Sequence, residues 1–234
     1  MLQKEDLTIR EAEVIRILKV LGERRENFAV IGGYAINALT SHRFSVDCDI
    51  VTDSKGVKEI GKILDKEGYT VLSRVKKKSI YGVKMRKYVK LVGSRKVSVE
   101  VFPKEVSCRQ TDGIWDFELV VTNSSKLLVV GLTASTEALV PKKELLIAMK
   151  IHAGRDTDLR DVTMLSERVD WGMVKEFMSC GDTVKVKRQL ESAIATISKS
   201  EFASALRAEF GIRYDVSPII KRTVDGLKKV KRIF

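Results

Sequence analysis

Two carboxylates stand inside an otherwise apolar run in SVDCDIV, residues 45 to 51. Strand side chains alternate between faces, so Ser45, Asp47 and Asp49 share one face while Val46, Cys48 and Ile50 share the other. A core strand does not place two acids together in this way. A later run, VSVEVFP, repeats the device: Val97, Val99 and Val101 face the core and Glu100 faces away. If the two strands are neighbours in a sheet, three carboxylates converge. They then repel strongly unless a cation sits among them or a proton is shared. Hard oxygen donors select Mg²⁺ or Mn²⁺, which suits phosphoryl or nucleotidyl transfer. The plainer alternative is that Asp47 and Asp49 cover a solvated sheet face.

Upstream, a hydrophobic run ends on Gly32-Gly33 and passes at once into a short helical pattern. Such a turn points backbone N–H groups beyond the strand and favours an anion such as a triphosphate. The string is not GxGxxG, which argues against a dinucleotide fold. Farther on, Lys150 is the only residue of LLIAMKIHA formally charged at neutral pH. A lysine there must snorkel, pair with an acid or meet a phosphate. Asp158 and Asp161, three apart on one helix face, are acids it could pair with. Two histidines, His42 and His152, cannot make a catalytic zinc site without a third ligand, and no spacing suggests one. Ser45 has no GxSxG elbow around it and reads as a strand hydroxyl supporting the acids.

The elements that must position these residues follow from periodicity. Leu7, Val14, Ile15, Leu18 and Leu21 predict an amphipathic helix over 9–24. NFAVI and VDCDIVT read as strands, and Ser54 caps a helix that runs to about Glu67 and stops at Gly68. Strand signals follow in TVLSRV, YGVKMRKYVKLVG, KVSVEVF, DFELVV and KLLVV; from Pro141 the pattern is helical, broken at Gly154, Gly181, Gly211 and Pro218. These spans predict an α/β domain over 1–138 and a helical C-terminal domain over 139–234.

The composition, 44% apolar over 234 residues, supports a real core. No apolar run reaches about eighteen residues and the N-terminus is charged, so the expected location is the cytoplasm, with no membrane partner. Cys48, Cys108 and Cys180 lie far apart without CxxC spacing, which argues for reduced thiols. The net charge of +12 is uneven: Arg74 to Lys96 holds ten Lys or Arg and no acid. Alternation there places Lys84, Arg86, Tyr88 and Lys90 on one face. Val83, Met85, Val89 and Leu91, with Lys87 as the exception, take the other. Arg74, Lys76 and Lys78 align similarly on the preceding strand. Either this is a lysine-rich solvated surface or it meets a polyanion, with RNA favoured because the ribbon leads into the strand of Glu100.

The string GGYAINAL…HRFSVDCDIV resembles the first motif of the DNA polymerase β-type nucleotidyltransferase superfamily: a glycine pair, a short helix and an R-x-S/T-x-D-x-D string, matched by Arg43, Ser45, Asp47 and Asp49. STEALVPKKELLIAMKIHAGRDTDLRDVTML is similar to the K…A…R…D-L-x-D segment of the AbiEii-like branch, which includes toxin nucleotidyltransferases. The motifs cover residues 28 to 51 and 135 to 165. Glu100 stands where many relatives carry Asp, and Lys150 lies closer to the D-L-x-D string than is usual. The resemblance implies a minimal nucleotidyltransferase mixed sheet with flanking helices, followed by a helical C-terminal domain. It also implies transfer of an NMP from an NTP such as ATP to an acceptor hydroxyl. In that scheme Asp47, Asp49 and Glu100 bind Mg²⁺ or Mn²⁺; Gly32, Gly33, Arg43, Ser45 and Lys150 hold the nucleotide; and Asp158 and Asp161 belong with Lys150 at the active site. A tRNA 3′ end is the favoured acceptor and a cognate antitoxin protein a partner. The alternatives are a catalytically silent nucleic-acid-binding module of the same fold, or a transferase acting on a protein or small-molecule hydroxyl.

Overall fold

The computed structural model describes residues 2–24, 27–72 and 85–234. The chain divides into two compact units, one of Met1–Ala38, Phe44–Val106 and Trp115–Pro141, the other of Leu39–Arg43, Ser107–Ile114 and Lys142–Phe234. The expected boundary after residue 138 runs through a strand, and the first unit continues to Pro141.

The first unit opens with α1 (Leu2–Glu23), β1 (Phe28–Ile31), α2 (Gly32–Asn37), β2 (Asp47–Thr52) and α3 (Ser54–Lys66). It continues through β3 (Thr70–Val71), β4 (Arg86–Val92) and β5 (Arg95–Pro103). After β6 (Glu105–Cys108) and β7 (Gly113–Asp116), a small sheet of their own whose residues Ser107–Ile114 count with the other unit, come α4 (Phe117–Thr122), β8 (Ser124–Val130) and β9 (Ser135–Pro141). Among the described residues the main sheet has seven strands in the order β3-β4-β5-β2-β1-β9-β8. It is mixed: β2 lies parallel to β5 and β1 parallel to β9, while β1–β2, β4–β5 and β8–β9 are antiparallel. A mixed sheet with flanking helices, followed by helices, is the architecture expected from the sequence.

Local chemistry explains where sequence and structure part. The cap of α3 is Asp53, one residue before the expected Ser54; its carboxylate accepts from Gly56 N at 2.6 Å. DFELVV is a helix and not a strand, because Asp116 caps it by accepting from Leu119 N at 2.7 Å, and only Val120 of that run is buried. STEALVP is the strand β9, fixed between β8 and β1.

The face of β4 is the opposite of the expected one. Tyr88 pairs with Val99 and Lys90 with Val97, so both point with the buried valines of β5. Tyr88 is 3% exposed, and its ring sits so close to α3 that a Cβ on Gly61 would lie 2.7 Å from its hydroxyl. The Lys90 amine bonds Glu13 on α1 at 2.9 Å and lies over the Tyr69 ring. Val89 and Leu91 share the other face with Lys87, and Leu91 is 72% exposed. Arg86 is exposed at the start of β4, whereas Arg74, Lys76, Lys78 and Lys84 lie outside the described residues.

The second unit is built on α5 (Lys143–Ala153), α6 (Asp156–Leu165), α7 (Trp171–Met178), α8 (Thr183–Ile197), α9 (Ser200–Phe210) and α10 (Ser217–Lys231). Helix α5 is buried on every side from Glu144 to Ala153, as a helix apolar all round must be, and α6, α7 and α8 pack against it. It ends on Gly154 at φ +59°, where a Cβ would collide with the Gln189 amide.

His152 is fully buried between the Thr111 hydroxyl and the Met178 carbonyl. Burial pushes its pKa down to about 4 from 6.5. The unfolded chain therefore binds a proton between those values that the native state refuses, so stability falls as pH drops through that window. Between pH 7 and pH 5 the loss should be about 2 kcal/mol. Chemical denaturation at the two pH values checks this, and His152→Gln should flatten the difference.

Candidate active site

Strands β2 and β5 set the geometry of the acids. Their parallel register pairs Asp47 with Ser98 and Asp49 with Glu100, placing all four on one face; Cys48 and Ile50, paired with Val99 and Val101, are buried on the other. The β5 register with β4 then brings Lys87 opposite Glu100. The Lys87 ammonium stands 2.6 Å from Glu100 Oε1 and 2.9 Å from Asp47 Oδ1, so two carboxylates meet around one cationic point. Burial works against that charge, but the hydrogen bonds to Glu100 and Asp47 outweigh it and hold the amine above its ordinary pKa. The Ser98 hydroxyl donates to Asp47 Oδ1 and fixes its rotamer.

Asp49 lies beside this pair and packs over Gly32. A Cβ on Gly32 would fall 2.0 Å from Asp49 Oδ2, and Gly32 has φ +65°, so two independent constraints require glycine there. Gly33 is buried in the first turn of α2. Ser45 precedes the strand; its hydroxyl donates to the Asp47 carbonyl at 3.2 Å, supporting the backbone of the site and not the carboxylates.

Among the described residues no three His, Cys, Asp or Glu gather into a complete metal cluster. Two of the three expected acids converge, with Asp49 set against Gly32. The donor set still fits a hard divalent cation. The Lys87 ammonium marks a cation position with two carboxylate oxygens already around it, and Mg²⁺ commonly takes one or two carboxylates with water and phosphate completing its shell. Lys87 and Ser98 were not among the residues singled out from sequence. The signal for Lys87 was present, as the single charge among the apolar residues of its face.

Arg43, Lys150, Asp158 and Asp161, also expected at the site, form a buried ion network within the second unit. Arg43 clamps Asp161 with two bonds, Nε to Oδ1 at 2.6 Å and Nη2 to Oδ2 at 2.7 Å, and lies 3.7 Å from Glu209. Lys150 Nζ is 2.8 Å from both Asp158 Oδ1 and Asp161 Oδ2. Arg155 closes the array on Asp158 at 2.6 Å. Burial alone would raise the Asp158 pKa, but Lys150 and Arg155 hold it below the usual carboxylate value. Arg43 is likewise disfavoured by burial and kept charged by Asp161. Asp158 and Asp161 have no exposure, Lys150 is 5% exposed and Arg43 8%. Arg43 and Lys150, expected at the triphosphate, and Asp158 and Asp161, expected beside them, thus pair with one another, and for Lys150 this is the pairing with an acid that its place in an apolar helix allowed. His42 is half-buried, and His152 is the core residue described above.

No protein-family model matches the chain, and no curated protein does. Among solved structures it is similar to the lincomycin-bound lincosamide antibiotic adenylyltransferase LnuA, at 17% identity and TM-score 0.47 over 68% of this chain and 98% of that one. It is also similar to the antibiotic-resistance factor ANT(2'')-Ia, at 14% identity and TM-score 0.49 over 72% and 89%. JHP933 from Helicobacter pylori matches at 14% identity and TM-score 0.47 over 95% and 90%.

Proposed function

We propose that the protein is a metal-dependent nucleotidyltransferase that moves an NMP from an NTP to an acceptor hydroxyl. The observation that carries the reading is the pair Asp47 and Glu100 drawn around one cationic point on adjacent parallel strands, with Asp49 beside them over an obligatory glycine. A core sheet face needs none of this. Asp47 and Glu100 would hold Mg²⁺ or Mn²⁺, with Asp49 beside them, and Ser98 would keep Asp47 in its ligating rotamer. The bound ion would neutralise triphosphate charge and acidify the acceptor hydroxyl. The acceptor oxygen then bonds to the α-phosphorus as the bond to pyrophosphate breaks, and the hydroxyl proton passes to the Glu100 carboxylate. Gly32 and Gly33 would line the triphosphate path, with the Asp49 carboxylate set against Gly32.

Lys87 neutralises the acid pair in the metal-free protein. Lys87→Met should therefore lower the melting temperature in chelator, by the equivalent of about 1–2 kcal/mol for this partly buried pair, and Mg²⁺ should restore it. Calorimetric melting with EDTA and then with Mg²⁺ checks both halves.

RNA is the acceptor we favour, on the strength of the net charge of +12. The AbiEii-like motifs make the tRNA 3′ end the first candidate and an antitoxin protein a candidate partner. Incubating the protein with each labelled NTP, Mg²⁺ and either total RNA or total protein tests the reading. Label transferred to RNA supports it, label on protein moves the acceptor, no label in either pool leaves a small-molecule hydroxyl as the acceptor, and absence of pyrophosphate release with a small-molecule extract as well removes the transferase.

A further inference from the structure

Helix α10 borders a groove of about 410 Å³ lined by Trp171, Pro218, Lys221, Arg222, Gly226 and Lys229, with Asp225 as its single acid. Gly226 makes the groove possible. A Cβ there would lie 2.0 Å from the Trp171 ring, so its absence lets the indole lie against the helix backbone while Trp171 stays only half-buried. A second groove of about 490 Å³ shares Arg222 and adds Tyr214, which is 55% exposed, together with Lys143 and Arg168, both of which engage the groove's acid Glu167, Lys143 through its carbonyl and Arg168 through its carboxylate. Among the described residues no ion pair engages Lys221, Arg222 or Lys229. Cations on a merely solvated helix face need no aromatic ring held open between them.

A flat ring, an unpaired guanidinium and a second exposed ring, in two concave grooves that meet at that guanidinium, match the repeat of a single polynucleotide strand: base, phosphate, base. We propose that these grooves bind single-stranded RNA, with bases stacking on Trp171 and Tyr214 and the phosphate between them meeting Arg222. The choice of RNA rests on the acceptor reading above. The stacking and charge do not.

The chain has two tryptophans, and Trp115 is 1% exposed, so quenching by a bound base reports Trp171. A 12-nucleotide oligo(A) RNA, titrated at low salt, should quench tryptophan fluorescence, with affinity falling steeply as salt is added. Heparin, a polyanion without bases, should leave the fluorescence unchanged. Tyr214→Ala should weaken RNA binding about fivefold or more, and Arg222→Ser should lower the salt slope by about one. Both side chains lie at exposed positions, so the variants should fold as the parent does. Equal quenching by heparin, RNA binding without quenching, or unchanged affinity in both variants overturns the inference. RNA that binds and quenches without accepting label retires RNA as the acceptor and leaves the groove standing. Label transferred to RNA without quenching does the reverse.

Discussion

Asp47→Asn and Asp49→Asn are each expected to cut NMP transfer about a hundred- to a thousandfold while leaving the protein folded. Both changes keep side-chain volume, so an amide in place of the Asp49 carboxylate still fits over Gly32. Asp47 is 36% exposed, and after its loss Lys87 keeps Glu100 at 2.6 Å, so the cost to stability should be no more than about 1 kcal/mol. Loss of activity with an unchanged melting curve is therefore the signature of a ligand role. Retained activity would show that these acids only cover the sheet. Activity lost together with the fold would make their role structural.

The acid cluster was legible because it depends on short-range rules. Period-two alternation put Asp47, Asp49 and Glu100 away from the valines, and only the adjacency of β2 and β5 had to be assumed. The face of β4 was not legible by the same rule. Tyr88 and Lys90 carry long apolar bodies that pack beneath α1 and α3 and leave only a polar tip to pair, so residues that look external lie inside. Lys87, taken as the misfit on an apolar face, is the charge the acids require. The pairing of Arg43 was hidden for another reason. Its place in the R-x-S/T-x-D-x-D string suggests a phosphate, but its partner Asp161 is 118 positions away and no local pattern reveals it. The DFELVV run shows a cap overriding alternation, with Asp116 starting a helix where the β-branched residues suggest a strand.

The buried network of the helical unit carries the largest expected stability effect, and Lys150 is where to test it. Its ammonium is shared between Asp158 and Asp161, which have no exposure at all. Lys150→Met keeps helix propensity and most of the volume, so what it removes is charge. Asp161 keeps the two bonds from Arg43, but Asp158 is left with Arg155, whose side chain is 47% exposed and shares its charge with water. The variant should lose about 3–5 kcal/mol, the cost of breaking a buried ion pair from one side. Adding Asp158→Asn should recover part of that loss, because the stranded charge goes while Arg155 can turn to solvent. A role at the triphosphate predicts a different pattern: weakened NTP binding with stability nearly intact, and no rescue by the second change. Urea unfolding of the parent, the single variant and the double variant, beside NTP titrations of each, separates the two.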